Sequence, residues 1–325
     1  MQDNTMTSPV TRTTSLVTQT MPSSTINSML TTTSLQSPED PSSTDEYHFV
    51  LLSIYSVVLL SGTISLSLMV HIMKSSTTSI TSIAVLNLIF AHFLFLVTVP
   101  FRIYYYATGV WNLGAGWCKV VSSMIHIHMY MSFIFYVIIL ITRLMAFYNR
   151  AQQVASFQKI HALIISAVVW IVVLIAVPLI ICFSYGGNSD PSNNSSTNAT
   201  QCFKFGDDIQ SGAKVVNYII SMLIIVVATV LTALQANVLR VLYRKHSERC
   251  TSQQDFGAQL KSLCFALIMV VCFVPYHMFR LHYLEHLHLQ SVNEVFLSLT
   301  TFNCLDMLTF LGRRTFYMCY PGKTV

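Results

Sequence analysis

Phe273, His277 and Arg280 recur at i, i+4 and i+7. A helix would place them on one face, with Arg280 about 10 Å along the axis from Phe273. That face would offer an aromatic floor, a hydrogen-bonding imidazole and a guanidinium. Arginine suits this chemistry because its planar fork grips carboxylate or phosphate through two parallel hydrogen bonds. Pro275 lies inside the same stretch. It removes one helical hydrogen bond and crowds the preceding turn, so it kinks the helix. Arg102 beside Tyr104, Tyr105 and Tyr106, and the pair His126 and Tyr130 at i, i+4, extend the candidate ligand-binding set. Lys204 and Lys214 add positive charge, and the stretches around Arg102 and His126 carry no acid. A cavity lined this way would focus positive potential and favour an anionic ligand. The plainer reading has Arg280 reaching for the membrane interface and His277 as a satisfied core histidine.

Two further ionisable residues, His92 and Asp306, lie in otherwise apolar stretches. Buried ionisable groups pair or work. A direct His92–Asp306 hydrogen bond is expected, with Ser132 and Asn303 as neighbours; hydrogen-bonded packing alone is the alternative. His282-Tyr283-Leu284-Glu285-His286 matches a zinc-protease pattern, but it falls at a helix end with only Glu294 as a third ligand. His126 and His128 are two apart and face different sides of a helix, a poor chelate. No metal site, cofactor or catalytic residue is therefore assigned.

These residues need elements to hold them. Of the 325 residues, 53% are hydrophobic and only 10% charged, far below the quarter usual for soluble proteins. Seven apolar stretches follow: 49–73, 80–106, 118–148, 161–183, 215–243, 259–282 and 292–311. Each approaches the roughly 20 residues that cross a bilayer as helix. The expected fold is an all-α membrane protein, a seven-transmembrane helix bundle. With the N-terminus outside, Arg12, Arg102, Lys119, Lys204, Lys214 and Arg280 are the 6 basic residues outside. The other 12 of the 18 lysines and arginines lie inside, which favours that orientation. Asn193, Asn194 and Asn198 head glycosylation sequons in the expected outer loop between helices four and five, which agrees.

Residues 1–46 are rich in Ser, Thr and Pro and read as a disordered extracellular tail. The receptor-like domain spans 47–312, and 313–325 form a short cytoplasmic tail in which Cys319 is a lipidation candidate. No cleavable signal peptide is recognised. The net charge of +5 is spread between apolar segments and forms no nucleic-acid-reading motif. Arg240, Arg244, Lys245 and Arg249 suit anionic membrane lipids. Cys118 and Cys202 fall on the oxidising side. A bridge between them would close a loop of about 85 residues and stabilise by roughly 4–5 kcal/mol. Two free thiols, or pairing with Cys182, remain the alternatives.

Asn87-Leu88, Trp111, Gly114, Cys118, Arg143, Trp170, Cys202 and Cys272-Phe273-Val274-Pro275 occur in an order and spacing that resembles the rhodopsin-like (class A) G-protein-coupled receptors over roughly residues 47–320. The resemblance implies a multi-pass plasma-membrane receptor that binds an extracellular ligand and activates a heterotrimeric G protein through movement of helix six. It implies switch and coupling roles for Arg143, Phe273, Pro275, Asp306 and Phe310. The Pro-aromatic-His-x-x-Arg pattern of helix six resembles that of nucleotide and lipid receptors, and Ile125 replaces the aspartate of amine receptors.

The departures are specific. Thr142-Arg143-Leu144 stands for Asp-Arg-Tyr. His92 stands where the family keeps an aspartate, and Asp306-Met307-Leu308-Thr309-Phe310 stands for the helix-seven motif. With no acid beside Arg143, a weaker restraint and basal signalling are expected. A ligand-binding or scavenger receptor-like protein without G-protein coupling is the rival reading, and a transporter the more distant one.

Overall fold

Lipid offers the backbone no hydrogen-bond partners, so a chain this apolar satisfies its own amides by coiling. The computed structural model describes residues 41–73, 80–148, 155–184, 202–203, 211–248 and 253–307. Seven α-helices account for nearly all of them: α1 (Pro41–Met73), α2 (Ile80–Thr108), α3 (Ala115–Tyr148), α4 (Ala155–Ser184), α5 (Ser211–Glu248), α6 (Gln253–Tyr283) and α7 (Gln290–Leu299). A 3₁₀ segment, Thr300–Met307, continues α7. The first six are long and apolar enough to span a bilayer.

Two boundaries differ from the sequence reading. Helix α1 starts at Pro41, inside the stretch assigned to the tail; proline fits a first helical turn because that turn needs no amide donor. The seventh span was expected as one α-helix over 292–311. Its second half instead tightens to 3₁₀, where Thr300 and Thr301 turn their hydroxyls onto the carbonyls of Leu297 and Ser298, competing with the α ladder. Asn193, Asn194, Asn198, Lys204, Phe310 and Cys319 lie outside the described residues, as do residues 1–40 and 313–325.

Helix α3 is the axis of the bundle. It packs against α2, α4, α5, α6 and the 3₁₀ segment, and Ile125, Met131, Phe135, Tyr136 and Leu140 are fully enclosed. Helix α4 shows the opposite pattern: Leu163, Ile164, Ile165, Val168, Ile171 and Val172 face outward, the surface a helix presents to lipid. Lipid tails are as apolar as leucine, so helices associate through close packing and polar ties. Asn87 of α2 donates to Ser166 Oγ at 3.1 Å and accepts from Trp170 Nε1 at 2.8 Å, tying α2 to α4. Gln235 Nε2 donates to Gln259 Oε1 at 2.6 Å between α5 and α6. Ser65 of α1 donates to the carbonyl of Cys304 at 3.1 Å. Gly62 lets α1 approach both Leu96 and Cys304; a Cβ there would stand 2.9 Å from Leu96 Cδ2. Each polar tie contributes about 0.6–1.7 kcal/mol.

Candidate functional site

At one end of α3 a disulfide joins Cys118 to Cys202, with Cα atoms 5.8 Å apart and a sequence separation of 84. Pairing of Cys202 with Cys182 is thereby excluded. The bridge brings the next residue, Phe203, into the bundle. Phe203 has φ 69°, a conformation uncommon for a side chain this large. Its ring packs on Tyr105, Tyr106 and Trp111, and its carbonyl accepts from Gln290 Nε2 at 2.9 Å.

Beneath Phe203 lies Arg102, only 1% exposed. Its guanidinium carbon stands 4.3 Å from the centre of the Phe203 ring and 5.5 Å from that of Tyr55. It donates to Tyr55 Oη at 3.2 Å and to the Val121 carbonyl at 3.3 Å, and approaches Glu294 of α7 at 3.8 Å. The sequence reading places Arg102 in the ligand-binding set; in the structure aromatic rings and an acid from α7 enclose its charge. The acid-free stretches around helices two and three were a true feature of the sequence, but folding brings Glu294 to them.

The cavity itself opens between α3, α4, α5, α6 and α7 and has a volume of about 70 Å³. His126, Tyr130 and Arg280 line it. Arg280 donates to Asn217 Oδ1 at 3.4 Å, and its guanidinium lies 5.1 Å from the Tyr283 ring centre. Asn217, Gln290, Asn293 and Glu294 add polar lining, and Val177, Ile180, Ile181, Val216 and Ile220 of α4 and α5 add aliphatic lining.

Phe273 and His277 lie outside this lining. His277 pairs with Ser221 Oγ at 3.1 Å and is 2% exposed. It sits between α6 and α5, because one face of a helix is wide enough to serve both a cavity and a neighbouring helix. Phe273 is fully buried and contacts Phe133 and Tyr136 edge-on. No local pattern pointed to Phe203 or to the pairing of Glu294 with Arg102. The φ of Phe203 and the α2–α7 pairing exist only once the disulfide and the bundle have formed.

Deeper along α3, Tyr136 donates its hydroxyl to Asp306 Oδ2. His92 Nε2 stands 3.4 Å from Asp306 Oδ2 and 3.3 Å from Oδ1. The other ring nitrogen of His92, Nδ1, meets His128 Nε2 at 2.8 Å. The expected neighbours Ser132 and Asn303 are buried, yet Ser132 Oγ and both amide atoms of Asn303 make no hydrogen bond among the described residues. Among the partners of Asp306 are His92 and Tyr136. Toward the far end of α3, Arg143 is partly exposed, and among the described residues no acid pairs with it.

Comparison with known proteins agrees with this architecture. Residues 65–309 match the family described as 7 transmembrane receptor (rhodopsin family). The chain is 38% identical over 272 residues to human probable G-protein coupled receptor 141, covering 80% of this chain and 87% of that one. It is 27% identical to probable G-protein coupled receptor 34 of Pan troglodytes, over 80% of this chain and 71% of the relative. It is 23% identical to the human platelet-activating factor receptor, over 82% and 83%. Six membrane-length helices, a seventh that completes the bundle, and a match over most of the chain place this protein in the rhodopsin family of seven-transmembrane receptors, as a multi-pass plasma-membrane protein.

Proposed function

We propose that the chain is a G-protein-coupled receptor for an extracellular anionic lipid. The observation that carries this reading is the mixed lining of the cavity, where Arg280, Asn217, Gln290 and Asn293 stand together with aliphatic side chains of α4 and α5. An amphiphile with an anionic head and a hydrocarbon tail matches both kinds of lining. Glu294 also borders the cavity, but Arg102 compensates its charge at 3.8 Å, so Arg280 sets the sign of the potential. One relative is named as a platelet-activating factor receptor. With the N-terminus outside, the disulfide end receives the ligand and Arg143 meets the G protein.

The route from cavity to G protein runs through α6. Phe273 touches Tyr136, Tyr136 holds Asp306, and Pro275 gives α6 a point at which to bend. Two measurements test the reading. Basal and ligand-stimulated G-protein activation is recorded across subtypes for the wild type and Arg143→Ala. A signal that the substitution removes supports coupling; ligand binding with no signal from any subtype leaves a binding protein that never couples. A panel of lysophospholipids, fatty acids and nucleotides is then compared on Arg280→Ala. Loss of a charged hydrogen bond of about 1.5–3 kcal/mol lowers lipid potency roughly 10- to 150-fold. An equal response to a neutral or cationic agonist in both proteins overturns the ligand class.

A further inference from the structure

His92 of α2, His128 of α3 and Cys304 of the 3₁₀ segment turn one ligand atom each toward a common point, all within 4.8 Å of one another. Cys304 Sγ lies 3.6 Å from His92 Nδ1 and 3.6 Å from His128 Nε2, and the two nitrogens are 2.8 Å apart. A tetrahedral zinc ion has bonds of about 2.0–2.1 Å to nitrogen and about 2.3 Å to sulfur. Those bonds set nitrogen and sulfur roughly 3.5 Å apart and two nitrogens roughly 3.3 Å apart. The two nitrogen–sulfur edges are already in place, and the nitrogen–nitrogen edge needs to open by roughly half an ångström. We infer that His92, His128 and Cys304 form a binding site for a thiophilic metal ion of the zinc type, joining helices two, three and seven in the middle of the bundle.

Two further observations support the site. The first is its supporting shell. Metal-binding histidines hand their second nitrogen to a carboxylate or carbonyl. His92 does so: Nε2 faces Asp306, and Tyr136 in turn holds that carboxylate. The second is charge. A divalent ion, the Cys304 thiolate and the Asp306 carboxylate sum to zero, which removes most of the cost of placing an ion in lipid-enclosed protein.

Donor chemistry selects the ion. Imidazole and thiolate are soft and borderline donors that suit zinc or copper(I), whereas sodium, magnesium and calcium want oxygen. In the metal-free arrangement His92 Nδ1 and His128 Nε2 share one proton. On binding, that proton leaves the pair for His128 Nδ1 or solvent, and Cys304 releases one proton to solvent. Three protein ligands leave a fourth position open, the pattern of an accessible rather than a closed site. The sequence reading compared His128 with His126, its neighbour in the chain, and rejected that pair; the partners of His128 come from other helices.

The test uses the full-length chain, expressed in cells with and without added zinc and purified in detergent. Metal content per receptor is measured by mass spectrometry and thermal melting is followed with and without chelator. His282 and His286 stack on the surface at 4.3 Å and could collect zinc on their own, so the background carries His282→Ala and His286→Ala. The site predicts roughly one zinc per receptor in that background, a melting temperature lowered by chelator, and binding at least tenfold weaker in Cys304→Ser and His128→Gln. Cobalt exchanged into the unsubstituted site shows a thiolate-to-metal charge-transfer band, a readout that needs no variant to fold. Absence of retained zinc, equal retention in Cys304→Ser, a cobalt spectrum without the thiolate band, or stabilisation by sodium instead of zinc overturns the proposal.

Discussion

Replacing Arg102 by methionine separates a structural arginine from a ligand contact. Methionine keeps the length and apolar volume of the stem, so the substitution removes mainly the charge and its hydrogen bonds. Glu294 then loses its counter-charge at 3.8 Å. At an effective dielectric constant near 20 that attraction is worth about 4 kcal/mol. Tyr55 Oη and the Val121 carbonyl lose their donor, and Phe203 loses the cation against its ring. Removing one partner of a buried pair costs about 3–5 kcal/mol. At roughly 2 °C per kcal/mol for a domain of this size, the melting temperature falls by roughly 6–10 °C. Glu294→Gln costs less, because Arg102 keeps Tyr55, Val121 and Phe203. The double variant Arg102→Met/Glu294→Gln recovers about 2 kcal/mol relative to Arg102→Met, since no unpaired carboxylate remains. Thermal melting of the purified receptor in detergent, without ligand, reads all four corners of the cycle. An Arg102→Met protein that melts like the wild type but no longer binds ligand refutes the argument and returns Arg102 to the binding set.

Tyr136→Phe removes the hydroxyl held by Asp306 and leaves a buried carboxylate with one partner fewer. A loss of about 1.5–3 kcal/mol follows, read as earlier melting, together with altered basal signalling if Asp306 restrains α6. Cys118→Ser opens the loop closed onto Cys202 and costs roughly 4–5 kcal/mol by the chain-entropy argument. It also releases Phe203 from Arg102, so surface expression falls steeply, and Cys118→Ser with Cys202→Ser is no worse than either alone.

Composition and segment length determined the architecture of this protein. A chain that is 53% hydrophobic and 10% charged, divided into lengths that match a bilayer, has few choices but helix, because lipid leaves backbone amides no other partner. The i, i+4, i+7 pattern of α6 likewise placed Phe273, His277 and Arg280 on one face without any tertiary information. That local geometry could not say which neighbour the face meets. Arg280 reaches the cavity, His277 meets Ser221 of α5, and Phe273 meets α3. Contacts between residues distant in the chain were decided only by packing. Asp306 and His92 were recognisable as an unusual pair because each is an isolated ionisable residue in an apolar stretch. His128 and Cys304 were not, since a single histidine or cysteine in a helix carries no trace of what stands opposite. Arg102 changed role for the same reason. In sequence it belongs to a basic, aromatic stretch; in the bundle, Glu294, 192 positions away by the numbering of the chain, and Phe203, drawn in by the disulfide, enclose its charge. Periodicity is a property of one helix, whereas a site between helices depends on how several of them are rotated about their axes, and that rotation is fixed by side-chain packing.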